Sequence, residues 1–104
     1  MESKYTKLPS ICIPRMYLDT TKSDIIKAFE NILGKGSVYR VDLIRKQQEF
    51  DGYQRAFVHF SNKCAKTRGC EVISDRLKRG LDVNIVYYEN WFWKCSISRS
   101  YDSK

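Results

Sequence analysis

Apolar and polar residues alternate along several segments of the chain, and this period of two is typical of half-buried β-strands. Segments with this pattern are 10–16, 37–46, 53–60, 83–88 and 92–98. In segment 53–60, one parity is apolar (Ala56, Val58, Phe60) and the other carries a cation, an aromatic ring and an imidazole (Arg55, Phe57, His59). The pattern predicts a strand with one face in the core and one unusual face directed away from it.

Two other segments have apolar residues at helical spacing. The first helix is predicted to begin after Thr21, with Asp24 completing a capping box, and to end at Gly34. The second helix is predicted over 62–79 and ends at Gly80. Its predicted apolar stripe consists of Ala65, Gly69, Val72, Ile73 and Leu77.

The side chains of the remaining strands also divide by parity. In segment 37–46 we expect Val41 and Leu43 to point inward and Arg40, Asp42 and Ile44 outward. Glu89-Asn90 separates the last two strands and suggests a hairpin. Trp91 and Trp93 share the parity of Cys95 and Ile97, so both are interpreted as core or hairpin packing.

The order of elements is strand, helix, strand, strand, helix, strand, with an extra hairpin strand before the last one. This order predicts an α+β fold of the ferredoxin-like split βαβ (βαββαβ) type: a four-stranded antiparallel sheet with two helices on one face. Residues 1–9 are predicted to be a flexible lead-in, 10–98 the domain and 99–104 a polar tail. Such a sheet has one face that no helix covers.

Length and charge narrow the class of function. The chain has 104 residues, which suits one domain, and a net charge of +7, which favours a polyanionic partner such as nucleic acid or an anionic membrane surface. No apolar stretch approaches the roughly 20 residues of a membrane span. Residues 1–7 have no apolar run behind them, so we expect an intracellular protein without a secretory signal or a membrane partner.

The four cysteines contain no C-x-x-C pair. Zinc ligands usually come in such pairs, often with histidine, and His59 is the sole histidine. We therefore expect reduced, mostly buried thiols, with no metal and no cofactor.

Residues 56–60, Ala-Phe-Val-His-Phe, resemble the last five positions of the octapeptide of the RNA recognition motif (RRM), Gly/Ala-Phe-Val-x-Phe/Tyr. Segment 11–16 lies where that family carries its hexapeptide on the first strand. The resemblance covers about residues 10–98 and implies binding of single-stranded RNA, or single-stranded DNA, on the open sheet face. The chain departs from the family at Cys12 and Arg55, where two stacking rings are usual, and at Gln54, where glycine is usual.

Five short blocks are also similar, in the same order, to the RRM-like proteins of large nucleocytoplasmic DNA viruses. They are Ile13-Pro14-Arg15, Val41-Asp42, Phe57-Val58-His59-Phe60, Ile85-Val86-Tyr87 and Trp91-Phe92-Trp93-Lys94. This resemblance implies a viral protein that handles RNA in the cytoplasm or nucleus of the host cell, or in the virion. This second resemblance indicates the origin of the protein more than its biochemical mechanism.

Eleven residues are candidates for contact with nucleic acid, because they have the parity of the open face or lie at its edge. Phe57 is the candidate stacking platform, although it could instead pack under a tail or a partner protein; an arginine plane at position 55 can also stack on a base. Arg15, Arg40, Lys46 and Lys94 are candidate phosphate contacts, with a solvated sheet face as the alternative for each. The other candidates are Cys12, Ile44, Tyr53, His59 and Phe92.

Two further classes of function were weighed. A protein-interaction module without a role in RNA binding is favoured by the missing rings at Cys12 and Arg55 and by the aromatic hairpin over 83–94, which could accept a partner strand. An acylphosphatase-like enzyme would need a glycine-rich loop near the first strand, and residues 14–18 contain no glycine. His59 has no evident nucleophile or second titratable group beside it in the sequence, so we do not expect an enzyme.

Overall fold

Two helices and a five-stranded antiparallel sheet form most of the structure, which is a computed structural model describing residues 5–6, 8–47, 52–61, 64–65 and 68–98. The elements in chain order are β1 (Tyr5–Thr6), β2 (Ile11–Met16), α1 (Lys22–Leu33), β3 (Val38–Gln47), β4 (Gly52–Phe60), β5 (Cys64–Ala65), α2 (Arg68–Lys78), β6 (Val83–Tyr88) and β7 (Trp91–Ile97). The prediction of an α+β protein is confirmed.

The strand order in the main sheet is β3-β4-β2-β7-β6, and all neighbours are antiparallel. The sheet therefore has five strands and not the predicted four. The hairpin strand β6 pairs with β7 from Val83↔Cys95 to Tyr88↔Trp91, so it extends the same sheet as an edge strand.

Helix α1 begins where its local sequence predicts. The backbone N–H of Asp24 donates to Thr21 Oγ1 at 3.1 Å, and the backbone N–H of Thr21 donates to Asp24 Oδ2 at 2.9 Å. This capping box satisfies N–H groups that the first turn leaves without an intrahelical partner. At the other end, the N–H of Gly34 donates to the carbonyl of Glu30, and the φ of +101° at Gly34 suits glycine.

The core lies between the helices and one face of the sheet. Phe29 of α1 is fully buried and contacts Phe60 of β4 edge-on, with ring centroids 5.5 Å apart. Buried residues of α2, such as Leu77, belong to the same cluster as the inward-facing Ala56 and Val58. Both helices therefore pack on one face of the sheet. The other face is called the uncovered face here because neither described helix packs on it.

The prediction for the start of the second helix is wrong. Helix α2 begins at Arg68, and the preceding Cys64–Ala65 pairs with β1 as a separate two-stranded sheet. Val72, placed in the predicted apolar stripe, is 51% exposed. Within the predicted lead-in, Leu8 is buried in the core, so packing begins before residue 10.

The predicted tail at 99–104 lies outside the described residues, as do residues 48–51 between β3 and β4. Neither described helix combines the length and the apolar character needed to cross a membrane.

Candidate functional site

Strand register shows which predicted residues share the uncovered face, because directly paired residues of antiparallel strands point to the same side. Phe57 of β4 pairs with Asp42 of β3 and with Cys12 of β2. Cys12 pairs in turn with Ser96 of β7. Phe57, in the middle of this row of four strands, is half-buried.

A groove of about 380 Å³ crosses this row. Its lining includes Cys12, Arg55, Phe57 and residues 96–98. The Nε of Arg55 is buried and has no hydrogen-bond partner among the described residues. Burial raises the pKa of the Cys12 thiol, and the nearby Arg55 guanidinium partly offsets that rise. The structure thus brings Cys12, Arg55 and Phe57 together. The Nε of Arg55 is a hydrogen-bond donor that has no acceptor among the described residues.

A polar network lies at one end of the face, and it gives His59 polar partners that are distant from it in the sequence. His59 Nδ1 is 2.8 Å from Ser10 Oγ, and His59 Nε2 is 3.1 Å from Asp42 Oδ2. Arg40 contacts the other oxygen of Asp42 at 3.3 Å. A hydroxyl, an imidazole and a carboxylate are therefore in series, although a serine nucleophile would also need oxyanion donors. No contact among the described residues identifies such donors, so we interpret the network as a polar link between β2, β3 and β4.

A β-bulge positions Arg15. The pairing of β2 with β4 shifts between Ile13↔Ala56 and Met16↔Gln54, so two residues of β2 oppose one residue of β4. Pro14 and Arg15 are consequently both exposed, whereas Ile13 and Met16 are buried. The Arg15 guanidinium carbon lies 4.4 Å from the ring centroid of Tyr53, which is a cation–π contact.

The remaining candidates lie nearer the edges of the face. Lys46 pairs with Tyr53, and Ile44, 38% exposed, pairs with Arg55. Lys94 of β7 is exposed, and its Nζ lies 3.5 Å from Asp82 Oδ2. Phe92, two residues before Lys94 on the same strand, is 51% exposed.

Eight of the eleven predicted residues thus form three groups rather than one cluster, and the other three, Ile44, Lys46 and Lys94, lie outside these groups. The central groove contains Cys12, Arg55 and Phe57, and the polar end contains Arg40 and His59. A second cavity, of about 370 Å³, lies at the opposite end and is lined by Arg15, Tyr53 and Phe92 among others.

Sequence reasoning missed part of this second cavity. Trp93 is buried as predicted, but Trp91 is 57% exposed and lines the cavity. The pairing of β6 with β7 becomes irregular between Val86 and Tyr88, so the parity of the strand does not extend to its first residue. Tyr17, which is 65% exposed just after β2, also lines the cavity and was not predicted.

The cysteines that can be described are free thiols: Cys12 is half-buried, and Cys70 and Cys95 are buried. Burial raises the pKa of Cys95 to about 12, so its thiol is protonated at neutral pH. Within the described ranges, no three His, Cys, Asp or Glu side chains are grouped as metal ligands would be.

Comparisons of the chain with protein-family models, with curated proteins and with solved structures found no match.

Proposed function

We propose that the protein is an RRM-like module of the ferredoxin-like type that binds single-stranded RNA, or single-stranded DNA, on the uncovered sheet face. The strand order β3-β4-β2-β7 supports this plan, with α1 following β2, α2 following β4, and β6 added at the edge. The octapeptide-like segment lies on β4, an interior strand next to the central strand β2. On this proposal the protein handles viral RNA inside the host cell.

The groove at Phe57 carries the proposal. It combines an aromatic ring on which a base can stack with the Arg55 guanidinium, whose buried Nε has no partner among the described residues. An unsatisfied buried donor is costly, and a phosphate or base oxygen would satisfy it. Stacking on one ring contributes about 1–3 kcal/mol per base without requiring a particular base.

Charge on the face supports the same partner. Arg15, Arg40, Lys46, Arg55 and Lys94 lie on it or at its rim. Asp42 is the carboxylate beside Phe57, and its oxygens contact Arg40 and His59, so its charge is partly neutralised. A single strand of nucleic acid would release counterions on binding such a surface.

Titration of a fluorescein-labelled single-stranded oligonucleotide tests the proposal. Phe57→Ala should weaken binding by about 1–3 kcal/mol, and Phe57→Tyr, which keeps a ring, should retain most of the affinity. Tyr88→Ala is a matched control, because Tyr88 is an aromatic residue that is 62% exposed and does not line the groove. If no oligonucleotide binds at low salt, or if Phe57→Ala and Tyr88→Ala behave alike, the proposal is wrong.

A protein-interaction module is the second candidate, and the edge strand β6 favours it. Val86 and Tyr88 of this strand are 55% and 62% exposed, and an exposed apolar edge can accept a partner strand. A partner that stays bound after nuclease treatment and is lost with Val86→Lys would support this function. Loss of every partner after nuclease treatment would exclude it.

A further inference from the structure

Strands β2 and β7 separate at one end of the sheet, and Pro14 of β2 marks the point at which their pairing stops. Their described ladder contains two pairs, Ile11↔Ile97 and Cys12↔Ser96. Two residues further along β2, Pro14 has no N–H to donate, and the bulge that includes Arg15 turns the chain out of register. The end of β2 and the start of β7 therefore border a gap instead of pairing.

The 370 Å³ cavity lies in this gap, and its size is within the usual range of small-molecule sites. Six of the nine described residues that line it are aromatic: Tyr17, Tyr53, Tyr87, Trp91, Phe92 and Trp93. Tyr87 and Trp93 stack with ring centroids 4.3 Å apart, and Trp93 is 5% exposed, so this pair forms the inner wall. Tyr17, Trp91 and Phe92 are more than half exposed and surround the mouth.

The charges at the cavity favour an anion. Among the described residues that line the cavity, Arg15 is the one that carries a charge, and it lies over the Tyr53 ring. Lys46 is the cross-strand partner of Tyr53 and adds a second cation next to it. A ligand that combines a planar ring with a negative group would complement both the aromatic walls and the cationic rim.

We propose that this cavity binds one unpaired nucleotide, with its base against the exposed aromatic rings and its phosphate at Arg15. This inference rests on the proposed function and adds a second position for the same strand. Tyr53 and Phe57 are four residues apart on β4, which corresponds to about 13 Å along a strand. A bound strand that reaches both the cavity and Phe57 would have to span about this distance.

Aromatic grooves also bind proline-rich peptides. The cationic rim formed by Arg15 and Lys46 favours the nucleotide. A peptide is therefore the alternative occupant that the experiment must distinguish.

The test uses the full chain, with a labelled single-stranded hexanucleotide and with adenosine monophosphate as separate probes. Trp91→Ala should raise the Kd for the hexanucleotide about fivefold or more, as expected for the loss of one stacked base. Tyr88→Ala is the matched control, because Tyr88 pairs with Trp91 across the same hairpin and does not line the cavity. In NMR spectra, adenosine monophosphate should shift the indole N–H signal that Trp91→Phe removes. Thermal melting verifies that each variant is folded.

The outcomes separate the two proposals. If Phe57→Ala weakens hexanucleotide binding but Trp91→Ala does not, the cavity proposal is overturned and the proposed function stands. If adenosine monophosphate shifts the Trp91 signal but Phe57→Ala has no effect, the cavity binds nucleotide and the sheet-face proposal is overturned. If a proline-rich peptide shifts that signal and adenosine monophosphate does not, the cavity is a peptide site and the inference is wrong.

Discussion

The ion pair between Lys94 and Asp82 offers a sharp test of the charge on the sheet face. Lys94 Nζ lies 3.5 Å from Asp82 Oδ2, so the carboxylate competes with any phosphate for this ammonium group. Asp82→Asn removes the competing charge, and we predict tighter binding of a single-stranded oligonucleotide. Asp75→Asn is a matched control, because Asp75 of α2 is also exposed and forms a similar ion pair, at 3.3 Å, with Arg79 just after that helix.

The expected magnitude follows from counterion release. Both substitutions add one unit to the net charge of +7, so a purely long-range effect would be the same in both variants. One additional phosphate contact on a single strand steepens the plot of log K against log[salt] by about 0.7. Between 50 and 200 mM salt, the advantage of Asp82→Asn over the unmodified protein should therefore fall about threefold.

Fluorescence anisotropy at four or more salt concentrations measures both slopes. Each exposed ion pair contributes at most about 1 kcal/mol to stability, so both variants should remain folded. Equal slopes for Asp82→Asn and Asp75→Asn would refute the reasoning, because Lys94 would then have no special access to phosphate. Weaker binding by Asp82→Asn would refute it as well.

Three further predictions concern stability and reactivity. Thr21→Ala should lower the free energy of unfolding by about 1 kcal/mol in urea titrations, since it removes the capping box; a neutral effect would contradict that role. The backbone N–H of Thr21, and to a smaller extent its side chain, lower the pKa of Asp24, so this contribution is present above the ordinary carboxyl pKa and is lost as the pH falls through the lowered folded value. Thr21→Ala keeps the backbone N–H and loses only the smaller, side-chain cause, so its difference from the unmodified protein should shrink only slightly in acid. Phe29→Ala should cost about 3–5 kcal/mol because the ring is fully buried, whereas Tyr39→Ala, at a residue 72% exposed, should leave the urea midpoint nearly unchanged. Cys95 should resist iodoacetamide at pH 8 until urea is added, because burial raises its pKa to about 12; peptide mass spectrometry would detect any contrary labelling in the native state.

Local patterns predicted the parts of the fold that local physics determines. The capping box at Thr21 places the start of α1, because its hydrogen bonds join residues three positions apart. The period of two in 53–60 predicted which side chains of β4 are buried, because alternation follows directly from strand geometry. The confirmed burial of Ala56 and Val58 and the half-burial of Phe57 follow from that period.

Long-range pairing explains the errors. Ala65 fits a helical stripe, but Cys64–Ala65 forms a strand because β1, far away in the sequence, pairs with it. The partners of His59 could not be predicted either, because Ser10 is 49 and Asp42 17 residues away in the sequence. Their contacts depend on the register between three strands, which the alternation of residue types does not specify.

The second cavity could not be predicted for the same reason, because its lining depends on which strands pair and in which register. Pro14 lies within β2, and its effect on the neighbouring strand depends on β7 lying beside β2. The exposure of Trp91 depends on an irregular register between β6 and β7 at the end of the hairpin. Residue types predicted an aromatic region, and only strand pairing distinguished the buried Trp93 from the exposed Trp91.

Mapping of backbone amide shifts during titration with a short single-stranded oligonucleotide at low salt tests the central claim most directly. We predict shifts concentrated on β2 and β4 around Cys12, Arg55 and Phe57, continuing to the start of β7, with α1 and α2 little changed. Shifts confined to the helices, or no shifts at saturating oligonucleotide, would contradict the assignment of the uncovered sheet face as the binding surface.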